Sequence, residues 1–443
     1  MKIVIIGAGS AQFSANIVRD LCVNKGLYGS HVTFVDINDE RLDFVLRFAA
    51  KLARELDARY TFSKSRDIRE SLRGADFVIN TAAVAGEWGG AQAELLERHG
   101  YYRYYDIGDL TQMVFFLETA RLIEAEAPNA WLIQSANPVF EGCTLVTRET
   151  SVKTIGLCHG HYGYLEVADV LGLEREHVQA NMVGFNHWIW MTEFRYKGAD
   201  AYPLVDRWIA EKSQDYWAKG GFRFSEQQMS PAAIQQYQLY GLMPIGDTPR
   251  FAAWWQNTDL DTKKRWFCGG PGGFDSPEGW AAYVAEITEN LNKMQAVVAD
   301  DALKASDVFP PKQSGEQIVP IINSLVNDVA GTYQVNIPNR GHVIKGFPED
   351  LVIECRALIN SGGVYGIDEP RLPQRLMAGA MYPRHARAEA ILQAAIGGRA
   401  EDILSLLLLD WRTKNEAQAQ GFLDEWLGDK RNVYVRRQLG MDD

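Results

Sequence analysis

A thiol, two imidazoles and a phenol fall within five positions at Cys158, His159, His161 and Tyr162, with Gly156, Gly160 and Gly163 around them. Thiolate and neutral imidazole bind divalent transition ions, and an imidazole of ordinary pKa can move a proton near neutral pH. The short apolar run Thr154–Leu157 leads into this stretch. Its polar groups are therefore expected at the carboxyl end of a strand, where open α/β sheets bind ligands. Another histidine, His187, stands in Gly184-Phe-Asn186-His187-Trp188, inside an otherwise apolar run. A single histidine in such surroundings usually packs in a core. Paired with Cys158 it reads as a catalytic metal site, which keeps positions open, unlike a closed four-ligand structural site.

The elements that must position these groups begin at the N-terminus. An apolar strand, Lys2–Ile6, runs into Gly7-Ala8-Gly9-Ser10-Ala11 and then a helix from about Phe13 to Cys22. Glycines let a ligand approach the backbone while helix N–H groups face its phosphates, so Gly7, Gly9, Ser10 and Ala11 form a candidate dinucleotide cradle. Gln12 occupies the place where the usual fingerprint has a third small residue. The next strand, His31–Val35, ends at Asp36, an acid suited to a ribose diol and repelled by a 2′-phosphate; NAD is therefore favoured over NADP. Asn80 and Asn137 each follow an apolar strand, with amides expected to meet a nicotinamide or a sugar. Strands and helices continue to alternate, which predicts a Rossmann-type, doubly wound parallel sheet over residues 1–190. From Met191 the pattern changes to mixed helices and short strands, predicting an α+β substrate-binding and oligomerisation domain over 191–443. The whole is expected to resemble lactate and malate dehydrogenases in architecture.

Composition narrows the class. The formal net charge of −12 opposes general nucleic-acid binding, which needs clustered positive charge. No window approaches the roughly 18 apolar residues of a membrane span, and Ile3–Ile6 is too short for a signal peptide. Five scattered cysteines without a C-x-x-C pair suggest reduced thiols and a cytoplasmic protein.

Taken in order, Gly7-Ala-Gly9-Ser10, Ser135-Ala-Asn137-Pro138, Cys158-His159-Gly160, Gly184-Phe-Asn186-His187 and Asn336-x-x-Asn339-x-Gly341 resemble the motifs of glycoside hydrolase family 4, the NAD- and manganese-dependent glycosidases. The resemblance spans essentially the whole chain. It implies hydrolysis by oxidation at sugar C3, proton removal at C2, loss of the C1 group, addition of water and return of the hydride, without the two-carboxylate pair of most glycosidases. It also implies NAD and Mn2+ or another divalent metal as cofactors, with Cys158 and His187 as metal ligands. Asn137 and Asn186 would contact the sugar, and His159 would be the general acid. Tyr240 is the first candidate for the base, with Tyr237 and Asp247 behind it. The run Cys-His-Gly-His-Tyr-Gly is similar to the α-galacturonidase subgroup, so an α-galacturonide is the expected substrate. His161, Tyr162 and Arg340 are candidate readers of its carboxylate, with Arg250, His342 and Lys345 as further cations. A homodimer or homotetramer is implied as well. The alternative activity is that of an NAD-dependent 2-hydroxy acid dehydrogenase, which needs no metal-binding thiol.

Overall fold

Runs of Val, Ile and Phe that show no polar alternation belong in strands covered on both faces, and the strands Lys2–Ile6, Phe77–Asn80 and Trp131–Gln134 are of this kind. The computed structural model describes residues 1–84, 89–102, 105–220, 228–268 and 277–441. Within them β1 (Lys2–Ile6), β2 (His31–Val35), β3 (Thr61–Ser65), β4 (Phe77–Asn80), β5 (Trp131–Gln134) and β6 (Lys153–Gly156) are parallel. Their order across the sheet is β3-β2-β1-β4-β5-β6. This is the doubly wound order, whose switch point lies between β1 and β4. Helices α1 (Ala11–Val23) and α2 (Asp39–Glu55) make the first crossovers. The expected β3, Tyr60–Phe62, starts one residue later and runs three further.

The sheet does not stop at β6. Seven more strands follow among the described residues: β7 (Val178–Phe185), β8 (Trp188–Tyr196), β9 (Ala199–Asp200), β10 (Met243–Ile245), β11 (Gly331–Pro338), β12 (Val352–Asn360) and β13 (Gly363–Gly366). They extend it in the order β6-β11-β12-β7-β8-β10, all antiparallel, with β13 on β12 and β9 on β8. A single bridge, Asn336 opposite Gly156, joins the parallel half to the antiparallel one, and another, Glu354 opposite Gly184, joins β12 to β7 within the latter. Gly156 is needed where three elements meet. A Cβ there would stand 2.6 Å from Val139 Cγ1, 2.7 Å from Cys143 Sγ and 2.9 Å from Asn336 Cβ.

The apolar run around His187, read as one segment in the sequence, is a hairpin. Asn186 and His187 form its turn, with His187 at φ +59°. One hydrophobic core spans both halves, from Ile3 and Phe34 to Phe185, Trp190 and Ile353. Across the junction Phe140 stacks on Phe185 at 4.4 Å. A second core joins the long helix Tyr105–Glu126 to C-terminal helices that include Tyr382–Gly397 and Ala400–Leu408. Two further helices, Glu416–Gly428 and Val433–Gln438, carry no signal recognised in the sequence. Part of the expected helical run between Pro203 and Tyr240, residues 221–227, lies outside the described residues. Among the described residues no helix is long and apolar enough to cross a membrane.

Candidate active site

The cradle at the switch point is formed by backbone. Gly7 has φ +82°, and a Cβ on it would lie 2.5 Å from the Ala82 backbone, so only glycine fits between the first turn and the end of β4. Gly9 donates its N–H to Asp36 Oδ2 at 2.8 Å, and Asn38 donates to Asp36 Oδ1 at 2.9 Å. Asp36 thereby ties the glycine turn to the end of β2. The cap of α2 is Asn38, whose side chain accepts from Arg41 N at 3.0 Å. Ser10 and Ala11 open α1, with Ser10 at the N-cap making no side-chain cap bond. Asn80 differs from expectation. It is 1% exposed, donates to Gln134 Oε1 at 3.0 Å and accepts from Ala82 N at 3.1 Å, so it braces β4 against β5 with its amide engaged inside the sheet. Asn137 is exposed and precedes a cis proline at the start of the helix Val139–Glu149.

Cys158 and His187 lie 29 residues apart in the chain, yet Cys158 Sγ is 3.6 Å from His187 Nε2. His187 Nε2 is also 3.5 Å from Asp247 Oδ2, and Asp247 Oδ1 is 3.4 Å from Arg250 Nη1. Separations near 3.5 Å suit donor atoms that share one ion at bond lengths of about 2.0–2.3 Å. Among the described residues no cluster of three or more His, Cys, Asp and Glu is arranged to hold a metal by itself. Burial, aided by the charges of Glu354 and Asp247, pushes the Cys158 thiol up to about 12, while burial lowers the His187 imidazole despite Asp247. Both groups are therefore neutral at pH 7 before any ion binds.

The residues after Cys158 separate by environment. His159 is exposed, and its Nδ1 lies 3.2 Å from Glu316 Oε1, an ion pair that raises its pKa. His161 is 6% exposed, with Nδ1 3.1 Å from the Cys158 carbonyl and its ring against Tyr162 at 4.1 Å. Burial pulls its pKa down to about 4. With its imidazole buried and Nδ1 against the Cys158 carbonyl, His161 braces the Cys158 backbone.

Other expectations are not brought to this place. Tyr240 turns its hydroxyl to the Gly379 carbonyl at 3.4 Å and its ring edge to Trp190, and Tyr237 bonds Asp206 at 2.8 Å. Of the three candidate bases only Asp247 reaches the Cys-His pair. Arg340 is exposed in the turn after β11. With Asn336 opposite Gly156 in antiparallel register, Arg340 continues toward the amino end of β6, away from Cys158.

Glu354 is the main residue that sequence reasoning missed. It is 1% exposed and accepts from Asn186 Nδ2 at 3.1 Å, Asn336 Nδ2 at 3.3 Å and Gln334 Nε2 at 3.5 Å. Burial raises its carboxyl to about 7. Its signal was a lone acid in the apolar strand Leu351-Val-Ile-Glu-Cys355, where an unpartnered charge is costly. Asn186 thus serves a buried carboxylate beside Cys158 and His187. Thr248 was also missed. Its hydroxyl bonds both N and O of Ile189, at 2.8 and 3.0 Å, and so pins the loop carrying Asp247 and Arg250 to β8.

The chain is similar to several known proteins. An α-galacturonidase of Bacillus subtilis (strain 168) is 26% identical over 406 residues, covering 84% of this chain and 85% of its own. An α-glucosidase of Erwinia rhapontici is 27% identical over 454 residues, covering 92% and 93%. In fold, a 6-phospho-α-glucosidase from gut microorganisms, solved in complex with NAD and Mn2+, superposes with a TM-score of 0.77 at 16% identity, over 99% of this chain and 98% of that one. Residues 2–173 match the model described as family 4 glycosyl hydrolase, and residues 182–413 match that of its C-terminal domain. With glycine cradle, Cys-His pair and both matches on one continuous sheet, the chain belongs to family 4 of the glycosyl hydrolases.

Proposed function

We propose that this protein hydrolyses α-galacturonides, or closely related α-uronides, as an NAD- and divalent-metal-dependent glycosidase. The observation that carries the reading is the Cys158–His187 pair, 3.6 Å apart at the carboxyl end of the nucleotide-binding sheet. A 2-hydroxy acid dehydrogenase has no use for that thiol. Resemblance of Cys158–Gly163 to the α-galacturonidase subgroup, and the α-galacturonidase among the relatives, support the substrate class.

The residues fit both cofactors. The turn at Gly7 and Gly9 leaves no room for a side chain against Ala82 or Asp36, which suits a backbone that a pyrophosphate must approach. Cys158 and His187 offer one soft and one borderline donor, a set that accepts manganese, iron, cobalt or zinc. When bound, NAD supplies a reversible hydride acceptor and the ion a Lewis acid for sugar hydroxyls.

The chain's own groups then have distinct tasks. Asn137, exposed beyond β5, is placed to hold the sugar beside the nucleotide. Asp247 is the nearest carboxylate to the metal pair and the best-placed acceptor for the C2 proton, with Arg250 beside it. His159, kept protonated by Glu316, can donate to the departing oxygen. Glu354 holds Asn186 and Asn336, and so fixes the turn that presents His187. The protein is further proposed to work in the cytoplasm, as five unpaired cysteines suit a reducing compartment, and to assemble as a dimer or tetramer.

One assay decides the matter. Stripped protein is incubated with methyl α-galacturonide or a 6-phospho-α-glucoside, adding NAD, Mn2+ and a thiol singly and together. Hydrolysis of the galacturonide only when NAD and metal are both present, with deuterium at C2 of product made in D2O, is expected. Full hydrolysis without NAD refutes the mechanism, net NADH favours the dehydrogenase, and preference for the phosphorylated sugar refutes the substrate class.

A further inference from the structure

Gly246 is the joint through which β10 delivers Asp247. It follows the strand Met243–Ile245, which pairs antiparallel with β8, and takes φ +65°. A glycine in that conformation has wide freedom about both of its backbone bonds. Beyond Asp247 the chain is held by Thr248 on Ile189 and by buried Gln236, which donates to the Pro249 carbonyl at 2.9 Å. On the near side Gln228, 2% exposed, holds the joint itself. Its Oε1 accepts from Gly246 N at 3.0 Å, and its Nε2 donates to Gly246 O at 2.8 Å. Those two atoms belong to the peptide planes before and after the Gly246 Cα. One side-chain amide therefore fixes both planes, and with them φ and ψ of the joint.

Two glycines of the Gly156–Gly163 stretch have their reason here. A Cβ on Gly246 would stand 2.8 Å from the Gly160 carbonyl oxygen, so two backbones meet with no side chain between them. A Cβ on Gly163 would stand 2.6 Å from Gln228 Oε1 and 3.0 Å from Gly246 N, inside the bonded pair. The segment that carries Cys158 and His159 is thus seated on the joint that carries Asp247. The outcome is Asp247 Oδ2 at 3.5 Å from His187 Nε2. A turn of about 15° about a Gly246 bond would carry a carboxylate about 5 Å away through about 1 Å. A misplacement of that size can cost about 100-fold in rate.

We propose that Gln228 is a positioning residue for proton removal: by fixing both peptide planes of Gly246 it holds Asp247 at the Cys158–His187 pair. The inference rests on the reading above, in which Asp247 accepts the C2 proton. It adds a residue that touches neither substrate nor cofactor and acts through the backbone.

The test uses the full chain as wild type, Gln228→Met, Gly163→Ala and Asp247→Asn. Methionine has nearly the length of glutamine but neither bonds Gly246 N nor donates to its carbonyl, and Gly163→Ala displaces the Gln228 oxygen without touching Gln228 itself. Amide hydrogen exchange of residues 246–251, followed by mass spectrometry on the metal-free protein, is expected to quicken about tenfold in both variants. With NAD and Mn2+ saturating, kcat for methyl α-galacturonide is expected to fall at least about tenfold in both, with KM and NAD affinity within about twofold of wild type. The isotope effect on kcat with the C2-deuterated glycoside is expected to rise, because the displaced base slows proton removal in particular. Exchange and turnover like wild type in both variants overturn the proposal, and so does a fall in kcat with an unchanged isotope effect, which marks a merely structural loss. If Asp247→Asn keeps wild-type turnover and isotope effect, the base assignment fails and the proposal falls with it. If Asp247→Asn is inactive while Gln228→Met works like wild type, the positioning role alone is overturned. If the wild type cleaves no α-galacturonide, the substrate reading fails, and the exchange comparison decides whether Gln228 holds the joint.

Discussion

Replacing Glu354 by glutamine tests whether a buried, ionisable carboxyl underlies the Cys-His pair. In the folded protein this carboxyl ionises at about 7, against 4.5 for an ordinary glutamate, because burial outweighs its three amide donors. Between those values the native state keeps a proton that the unfolded chain has released. Unfolding free energy therefore falls as pH rises from about 4.5 to 7, and the loss is complete above the folded pKa. At about 1.4 kcal/mol per pH unit, the carboxyl costs about 3 kcal/mol at pH 8 relative to pH 4. Glutamine has nearly the same shape and cannot ionise. Its oxygen can accept from Asn186 and Asn336, but its amide then faces Gln334 Nε2, a mismatch of about 1 kcal/mol. Metal-free wild type is thus expected to be slightly more stable than Glu354→Gln near pH 4.5, and the variant more stable by about 2 kcal/mol at pH 8. Urea unfolding from pH 4.5 to 8 with a chelator present measures the difference. A difference that stays constant across this range refutes the argument.

Four further outcomes follow from the site. Cys158→Ser should lower Mn2+ affinity about 100-fold while leaving the far-ultraviolet circular dichroism unchanged, as followed by electron paramagnetic resonance of free Mn2+. Since the unliganded thiol is pushed up to about 12, ion binding to wild type near pH 7 should release about one proton, seen by calorimetry in buffers of different ionisation enthalpy; release of none refutes thiolate ligation. Glu316→Gln removes the partner that raises His159, so the alkaline limb of the pH dependence of kcat/KM should move to lower pH, and an unmoved limb excludes His159 as the acid. Gly7→Ala forces a side chain into φ +82° and 2.5 Å from Ala82, and should cost at least about 1–2 kcal/mol in conformation alone. Loss of NAD binding, read by equilibrium dialysis, is expected alongside a lower melting temperature.

Much of this protein is legible in one dimension because its causes are local. Continuous apolar runs in β1, β4 and β5 needed no tertiary information, since a strand covered on both faces has no polar alternation to disguise it. The glycine turn at Gly7 and the acid at Asp36 lie close enough along the chain for a fixed strand-turn-helix-strand pattern to join them. Cys158 and His187 could be paired in prospect because a thiol and an imidazole suit one ion, although their 3.6 Å approach depends on the hairpin turn. What the tertiary structure decided is where a side chain looks once its neighbours are present. Tyr240 stood ahead of Asp247 as a base in sequence; packing against Trp190 turned Tyr240 away, and Thr248 pinned Asp247 beside His187. His161 and His159, two residues apart, became a buried brace and an exposed ion-paired acid, because a short helical turn sends alternate side chains to opposite environments. Glu316 and Glu354 come from segments more than a hundred residues beyond Cys158. Only the tertiary fold brings them near the Cys158–His187 pair, and no local pattern encodes that approach.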